Sequence, residues 1–184
     1  MITKHTRWTL ALVTLLVPCR DAAGRVVALK VRRRDPCDGA RYLYVTSAPA
    51  GGPAALAAVH VPVEASELRA ASPLVVTEGE LKADVSCVLA RLPVVSVPGV
   101  GSWRAALDVV RAWTPRPAAV AVAFDSDART KPDVARASRA LLEALRGEGF
   151  GVRAWQWPPD AGKGLDDFLR ARLAARSTPD DRTP

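Results

Sequence analysis

From Pro73 onward, the chain alternates short apolar runs with longer segments that repeat apolar residues at helical spacing, and this alternation strongly constrains the fold. The apolar runs have the length of buried strands. We predict strands at 74–77, 93–97, 118–124 and 152–157. We predict helices at 80–91, 102–113, 132–146 and 165–175. Because strands and helices alternate with short connections, the pattern predicts an α/β fold in which a parallel sheet is covered by helices.

The region before Pro73 has the pattern of a small antiparallel sheet. Residues 12–19 and 25–32 flank a turn that contains glycine, which predicts a β-hairpin, and residues 41–46 are rich in strand-forming side chains. We therefore expect a basic, β-rich N-terminal subdomain at 1–72, the α/β domain at 73–175 and a disordered polar tail at 176–184.

The N-terminal residues also suit a second interpretation, as a secretory signal peptide. A basic segment at 1–7 precedes an apolar stretch at 8–18, which is too short to span a bilayer. Pro18 directly before Cys19 does not suit a cleavage site between small residues, so we favour the hairpin. Cys19, Cys37 and Cys87 are odd in number and widely spaced, which indicates reduced thiols and a cytoplasmic protein. We expect no membrane partner.

Positive charge is concentrated at the N-terminal end of the chain. The net charge is +7, and residues 1–50 hold nine Lys and Arg against three Asp and Glu. Residues 51–184 hold 17 against 16 and are therefore nearly neutral. A basic segment of this kind suits a polyanionic partner such as nucleic acid, and a solvated charged face is the alternative interpretation.

Acidic motifs follow three of the predicted strands. Glu78 follows the first strand, Asp125 and Asp127 follow the third, and Asp166 and Asp167 lie beyond the fourth. Open α/β sheets bind ligands at the carboxyl ends of their strands. Because gathered carboxylates repel one another, a cation would stabilise them, and Mg²⁺ prefers oxygen ligands. The sequence therefore predicts a site for Mg²⁺ or Mn²⁺ at this edge.

The motifs and their order resemble the Toprim domain of bacterial-type primases, type IA and type II topoisomerases, and some nucleases and recombination proteins. The resemblance extends over residues 10–172 and is to Toprim-like domains of primase-related proteins from plasmids, phages and other mobile elements. The matching segments are TEGELKA at 77–83, LPVVSVPGVGSW at 92–103, FDSD at 124–127 and KGLDDFL at 163–169. The segments VPCRDAAG at 17–24, LKVR at 29–32 and RYLY at 41–44 resemble the β-rich subdomain that precedes Toprim in primases.

The resemblance implies a Toprim-type, Rossmann-like parallel sheet and a DNA primase-like nucleotidyltransferase of DNA replication. Glu78 would be the catalytic general acid or base and a metal ligand, while Asp125 and Asp127 would act in catalysis by holding Mg²⁺. Asp166 and Asp167 would assist binding of the metal or the nucleotide. The implied partners are single-stranded DNA, nucleotides and a helicase or other replication protein. A Toprim-type nuclease and a catalytically degenerate nucleic-acid-binding module are the alternatives.

One position departs from the pattern of classical primases. They carry an acidic residue four positions after the first glutamate, where this chain has Lys82. Lys82 is expected to contact phosphate or to pair with Asp84 or Asp127, and His60 is assigned no ligand role. The side chains that we expect to contact nucleic acid or phosphate are Lys30, Arg32, Arg34, Arg41, Lys82 and Lys163.

Overall fold

Two sheets, one antiparallel and one parallel, organise the computed structural model, which describes residues 13–34, 40–126 and 131–177. The antiparallel sheet has the order β1-β2-β3, with strands Val13–Arg20 (β1), Val26–Arg33 (β2) and Tyr42–Tyr44 (β3). The parallel sheet has the order β5-β4-β6-β7, with strands Leu74–Glu78 (β4), Val94–Val97 (β5), Ala119–Val122 (β6) and Gly151–Ala154 (β7). The predicted fold class and the predicted hairpin are confirmed.

Five α-helices occur in the described part of the chain. They are Val63–Glu67 (α1), Glu80–Ala90 (α2), Trp103–Ala112 (α3), Pro132–Gly147 (α4) and Leu165–Ser177 (α5). Helix α2 leads to the strand on one side of β4, whereas α3 and α4 lead back across the sheet to β6 and β7. Because such crossovers are right-handed, α2 lies on one face of the sheet and α3 and α4 on the other. Helix α5 packs against α2.

Strands β4, β5 and β6 are buried on both faces, which explains why they are largely apolar, whereas the edge strand β7 is mostly exposed and carries Arg153. Leu74, Val75 and Val76 in β4 are fully buried, as are Val94 and Val95 in β5. Each such side chain contributes about 1.5–3 kcal/mol by leaving water. Strand β7 ends earlier than predicted because Trp157 turns inward, where its ring stacks on Phe168 with the ring centroids 5.3 Å apart. This core fixes the carboxyl edge of the sheet, where the acidic motifs begin.

Buried His60 connects the two sheets. Its backbone exchanges hydrogen bonds of 2.8 and 2.9 Å with Ser96 in β5, and its Nδ1 accepts a 3.0 Å hydrogen bond from the backbone N–H of Arg20. The imidazole proton therefore lies on Nε2, which donates to Asp84 Oδ1 at 2.9 Å. His60 thus acts as a structural joint between β1, β5 and α2.

Helix α5 continues to Ser177, two residues into the segment predicted as a tail, and residues 178–184 lie outside the described residues. Within the described ranges, no helix is both long enough and apolar enough to cross a membrane.

Candidate active site

Two of the predicted carboxylates lie at neighbouring strand ends. Glu78 is the last residue of β4, and Asp125 follows β6, which pairs directly with β4 in parallel register. Gly79 has a φ of 88°, a conformation that favours glycine and lets the chain turn from β4 into α2. Glu78 and Asp125 line one cleft of about 410 Å³, together with Lys131, Asp133, Lys163 and other residues. The sheet therefore gathers the first two acidic motifs as predicted.

Asp125 is buried at this edge, with 6% of its surface exposed. Its Oδ1 accepts a hydrogen bond from the ammonium group of Lys82, and its Oδ2 lies 4.0 Å from Lys163 Nζ. Ser126 fixes the loop that carries Lys163, because its N–H donates to the Lys163 carbonyl and its hydroxyl to the Gly162 carbonyl, both at 3.0 Å. The third motif thus meets the second through hydrogen bonds.

Among the described residues, Lys82 pairs with a carboxylate that was not predicted as its partner. It pairs with Asp125, whereas Asp84 is bonded to His60, and Asp127 lies outside the described residues. Gly164 makes room for this pair, since a Cβ atom there would lie 3.1 Å from Lys82 Cδ and 3.2 Å from Cε. A glycine from the third motif therefore borders the stem that brings Lys82 to Asp125.

The acidic pair of the third motif divides into two environments. Asp167 Oδ2 accepts a 3.2 Å hydrogen bond from the N–H of Gly164, the residue before α5. A carboxylate three residues into a helix that bonds back in this way caps the helix, a role that the sequence analysis did not assign. Asp166 Oδ1 is buried and accepts no hydrogen bond from the part of the chain described. It lies next to Gly164, because a Cβ there would be 2.5 Å from it.

A buried ion pair that no sequence motif indicated lies beside the site. Lys30 and Glu80 are 5% and 4% exposed, and Lys30 Nζ donates to Glu80 Oε1 at 2.6 Å. Lys30 Nζ also lies 4.8 Å from the ring centroid of Tyr44, and the Cys19 thiol donates to Glu80 Oε1 at 3.7 Å. Lys30, which we predicted to contact nucleic acid, is thus enclosed between the antiparallel sheet and α2 and not on a basic surface.

Burial and charge act on this cluster in opposite directions. Burial acts to lower the pKa of Lys30, but the hydrogen bond and charge of Glu80 outweigh it and raise that pKa. Burial, followed by the charge of Glu80, raises the pKa of the Cys19 thiol to about 11. At neutral pH the cluster therefore holds a protonated lysine and a neutral thiol around one carboxylate.

The other lysine and arginine side chains that we predicted to contact nucleic acid or phosphate are exposed or partly exposed. Arg34 and Arg41 are exposed and Arg32 is half-buried, and all three lie at the end of β2 and the start of β3. Lys163 is 65% exposed at the side-chain level, and Lys82 is 29% exposed. The arginines and Lys163, unlike Lys30, are accessible to an anionic ligand, whereas the ammonium group of Lys82 is engaged by Asp125.

The carboxylates at the strand ends have the ligand chemistry that a hard divalent cation requires, because Mg²⁺ and Mn²⁺ take oxygen ligands. Glu78 and Asp125 supply two such groups, and Asp125 is buried with the ammonium groups of Lys82 and Lys163 near its oxygens. Within the described ranges, no three His, Cys, Asp or Glu side chains converge as a metal site. A cation here would therefore be held by Glu78 and Asp125 and would displace Lys82 from one oxygen.

Comparison with known proteins identifies the family of this chain. Residues 67–175, more than half of the chain, match a family described as a domain of unknown function, DUF3854. The chain belongs to the DUF3854 family. No curated protein matches its sequence.

Solved structures with a similar fold include DNA primases. The chain is similar to the primase fragment of the bacteriophage T7 primase-helicase protein, with 17% identity over 89% of this chain and 61% of that one, and a TM-score of 0.57. It is similar to the Aquifex aeolicus primase with its zinc-binding and RNA polymerase domains, with 15% identity over 88% and 38%, and a TM-score of 0.61. It is similar to the DnaG primase catalytic domain bound to single-stranded DNA, with 22% identity over 88% and 51%, and a TM-score of 0.55.

The similarity to primases covers nearly all of this DUF3854 chain, which spans only 38–61% of the length of those proteins. At these identities the likeness establishes the fold. The chain has the Toprim-like α/β fold of primase catalytic cores, as the sequence resemblance implied.

Proposed function

We propose that this protein is a Mg²⁺- or Mn²⁺-dependent enzyme that joins nucleotides on a nucleic-acid template, as a DNA primase does. The observation that carries the proposal is the position of Glu78 and Asp125 at adjacent strand ends above one cleft, with Lys163 at its rim. The shared fold of primase catalytic cores supports it. A role in the replication of a mobile element is part of the proposal and rests on the sequence resemblance alone.

The side chains at the strand ends would divide the chemistry. Glu78 would take the proton from the attacking hydroxyl or return one to the leaving group. Asp125 and Asp127 would hold the cation with Glu78 as a further ligand, and the cation when bound would neutralise charge on the transferred phosphoryl group. Lys163 would contact the phosphates of the incoming nucleotide, because it is exposed and only 4.0 Å from Asp125. Asp166 would lie near the bound cation and the nucleotide phosphates. Asp167 would keep α5 capped.

The basic end of the antiparallel sheet would hold the template. Arg32, Arg34 and Arg41 lie together there, and the sheet that carries them is joined to α2 by Lys30 and Glu80. Cations on such a surface bind the phosphate backbone without regard to base sequence. We propose single-stranded DNA as the template and a helicase or other replication protein as a partner.

The test is a synthesis assay with single-stranded DNA, nucleoside triphosphates and Mg²⁺ or Mn²⁺. We expect labelled oligonucleotides from the native protein and a loss of roughly 100-fold or more in Asp125→Asn. Asp133→Asn is the matched control, because Asp133 lines the same cleft but is exposed and paired with Arg136 on α4. Shortened template in place of new oligonucleotides would assign the site to a Toprim-type nuclease. Equal synthesis by Asp125→Asn and the native protein would refute the proposed site.

The pairing of Lys82 with Asp125 favours one alternative, a degenerate module that binds nucleic acid without catalysis. An ammonium group that stays on Asp125 would take the place of the cation on which the reaction depends. Binding of single-stranded DNA with neither synthesis nor cleavage, and without any Mn²⁺ binding in calorimetry, would support this alternative over the enzyme.

A further inference from the structure

We propose that Lys82 is a resident counter-ion of Asp125, so that a divalent cation binds this site only in competition with the chain's own ammonium group. The inference rests on the proposed function, because it takes Asp125 to be the cation ligand. It adds a regulator of metal affinity that belongs to the chain itself. Three independent observations carry it, namely the burial of the pair, the path of the lysine stem and the position of Lys82 in its helix.

The burial of the pair shows that Asp125 is already neutralised. A carboxylate with 6% exposure is costly unless it is paired and hydrogen-bonded. Lys82 Nζ supplies that hydrogen bond at Oδ1, and its side chain is itself only 29% exposed. Lys163 is a weaker partner, because its ammonium is 4.0 Å from Oδ2 and its side chain is 65% exposed. Of these two lysines, Lys82 is therefore the closer and less exposed partner of the carboxylate.

The path of the lysine stem shows that the pair is built into the fold. The stem passes close to Gly164, the residue before α5. A Cβ at Gly164 would lie 3.1 Å from Lys82 Cδ and 3.2 Å from Cε, which is tighter than an ordinary contact. A side chain at position 164 would therefore press on the stem. The absence of one leaves the space through which the ammonium group reaches Asp125.

The position of Lys82 in α2 does not itself stabilise a positive charge. Lys82 lies in the first turn of α2, where the helix dipole disfavours positive charge. A lysine at this point is therefore stabilised by its tertiary partner and not by its helix.

Asp166 Oδ1, buried without a hydrogen bond from the described residues and adjacent to Gly164, borders the same space. It offers an acceptor to an ammonium group displaced from Asp125.

The competition predicts how the affinity for a divalent cation changes when the ammonium is removed. Lys82→Met keeps the length of the stem and removes its charge. We expect Lys82→Met to bind Mn²⁺ about tenfold or more tightly than the native protein, since a like charge is taken from beside the bound cation. The measurement is calorimetric titration with Mn²⁺ alone. Arg139→Met, which removes an exposed charge from α4, is the matched control and should leave the affinity within about twofold.

The outcomes separate this inference from the proposed function. Unchanged or weaker Mn²⁺ affinity in Lys82→Met, with binding still abolished by Asp125→Asn, would overturn the counter-ion and leave the metal site in place. Absence of Mn²⁺ binding in the native protein, in Lys82→Met and in Lys82→Gln would overturn both. Lys82→Gln, which can still donate a hydrogen bond to Asp125, provides the second variant if Lys82→Met does not fold. It should also bind Mn²⁺ more tightly than the native chain.

Discussion

Lys30 donates a 2.6 Å hydrogen bond to Glu80, and this buried ion pair joins the antiparallel sheet to the first turn of α2. The pair lies next to the proposed catalytic glutamate, since Glu78 and Glu80 are separated only by Gly79. Lys30, Glu78, Glu80 and Lys82 line one small cleft of about 180 Å³. The position of the antiparallel sheet relative to the catalytic edge is therefore set in part by an ion pair.

Removal of the lysine from this pair should destabilise the fold. We expect Lys30→Met to lower the free energy of unfolding by about 3–5 kcal/mol, because it leaves the Glu80 carboxylate buried and unpaired. Urea denaturation measures the effect. Arg25→Met, which breaks the exposed pair of Arg25 with Asp21, should change the free energy by less than about 1 kcal/mol. Equal effects of the two substitutions would show that the buried pair has no special role.

The Cys19 thiol should make the protein less stable at alkaline pH. Its pKa is raised from 9.0 to about 11 in the folded protein, so the unfolded chain loses this proton first as the pH rises. The free energy of unfolding should therefore fall between pH 9 and about 11. Cys19→Ala should reduce this fall relative to the native protein, as measured by urea denaturation at several pH values. Identical pH profiles for the two proteins would contradict the assignment.

The elements from Pro73 onward could be predicted because each depends on a local pattern. Apolar runs of strand length and helical repeats of apolar residues are properties of neighbouring residues in the sequence. The meeting of Glu78 and Asp125 could also be predicted, since parallel strands bring their carboxyl ends to one edge.

The pairing of charged side chains could not be predicted, because it depends on which elements meet in space. The residues on either side of Lys30 in the sequence indicate only that it lies in a strand. It becomes a buried partner of Glu80 because α2 packs against the antiparallel sheet. Lys82 bonds Asp125 because Gly164 leaves room for its stem, a condition set 82 residues further along the chain. His60, which was assigned no ligand role from the sequence, connects the sheets through its main chain to Ser96 and through its imidazole ring to Arg20, and no motif marks these contacts.

The lack of space for a side chain at Gly164 can be tested by comparison with a glycine that has open space around it. We expect Gly164→Ala to lower the free energy of unfolding by about 1–3 kcal/mol, because the new Cβ would lie 2.5 Å from Asp166 Oδ1 and 3.1 Å from Lys82 Cδ. Gly147→Ala, at the end of α4, meets no atom within 4 Å and should be neutral or stabilising by up to about 1 kcal/mol. Thermal unfolding of both variants measures the difference. A similar midpoint for both would mean that the loop before α5 adapts freely.

The basic end of the antiparallel sheet can be tested by salt dependence. Arg41→Ala should weaken binding of a single-stranded oligonucleotide and should lower the slope of log affinity against log salt by about 0.7, which corresponds to one phosphate contact. Fluorescence anisotropy at several salt concentrations measures both quantities. Arg139→Ala on α4 is the control and should change neither. An unchanged slope in Arg41→Ala would remove this arginine from the proposed template surface.

The two glutamates on either side of Gly79 provide the most direct test of the proposed active site. Glu78→Gln should reduce template-directed nucleotide incorporation by about 10²–10⁴-fold without lowering the unfolding midpoint, because it removes a proton-transfer group. Glu80→Gln should lower the midpoint and leave incorporation per folded molecule within a few-fold of the native value, because Glu80 pairs with buried Lys30. The measurement is incorporation per folded molecule at a temperature where both variants are folded. Full incorporation by Glu78→Gln, or its selective loss in folded Glu80→Gln, would contradict the proposed division of roles.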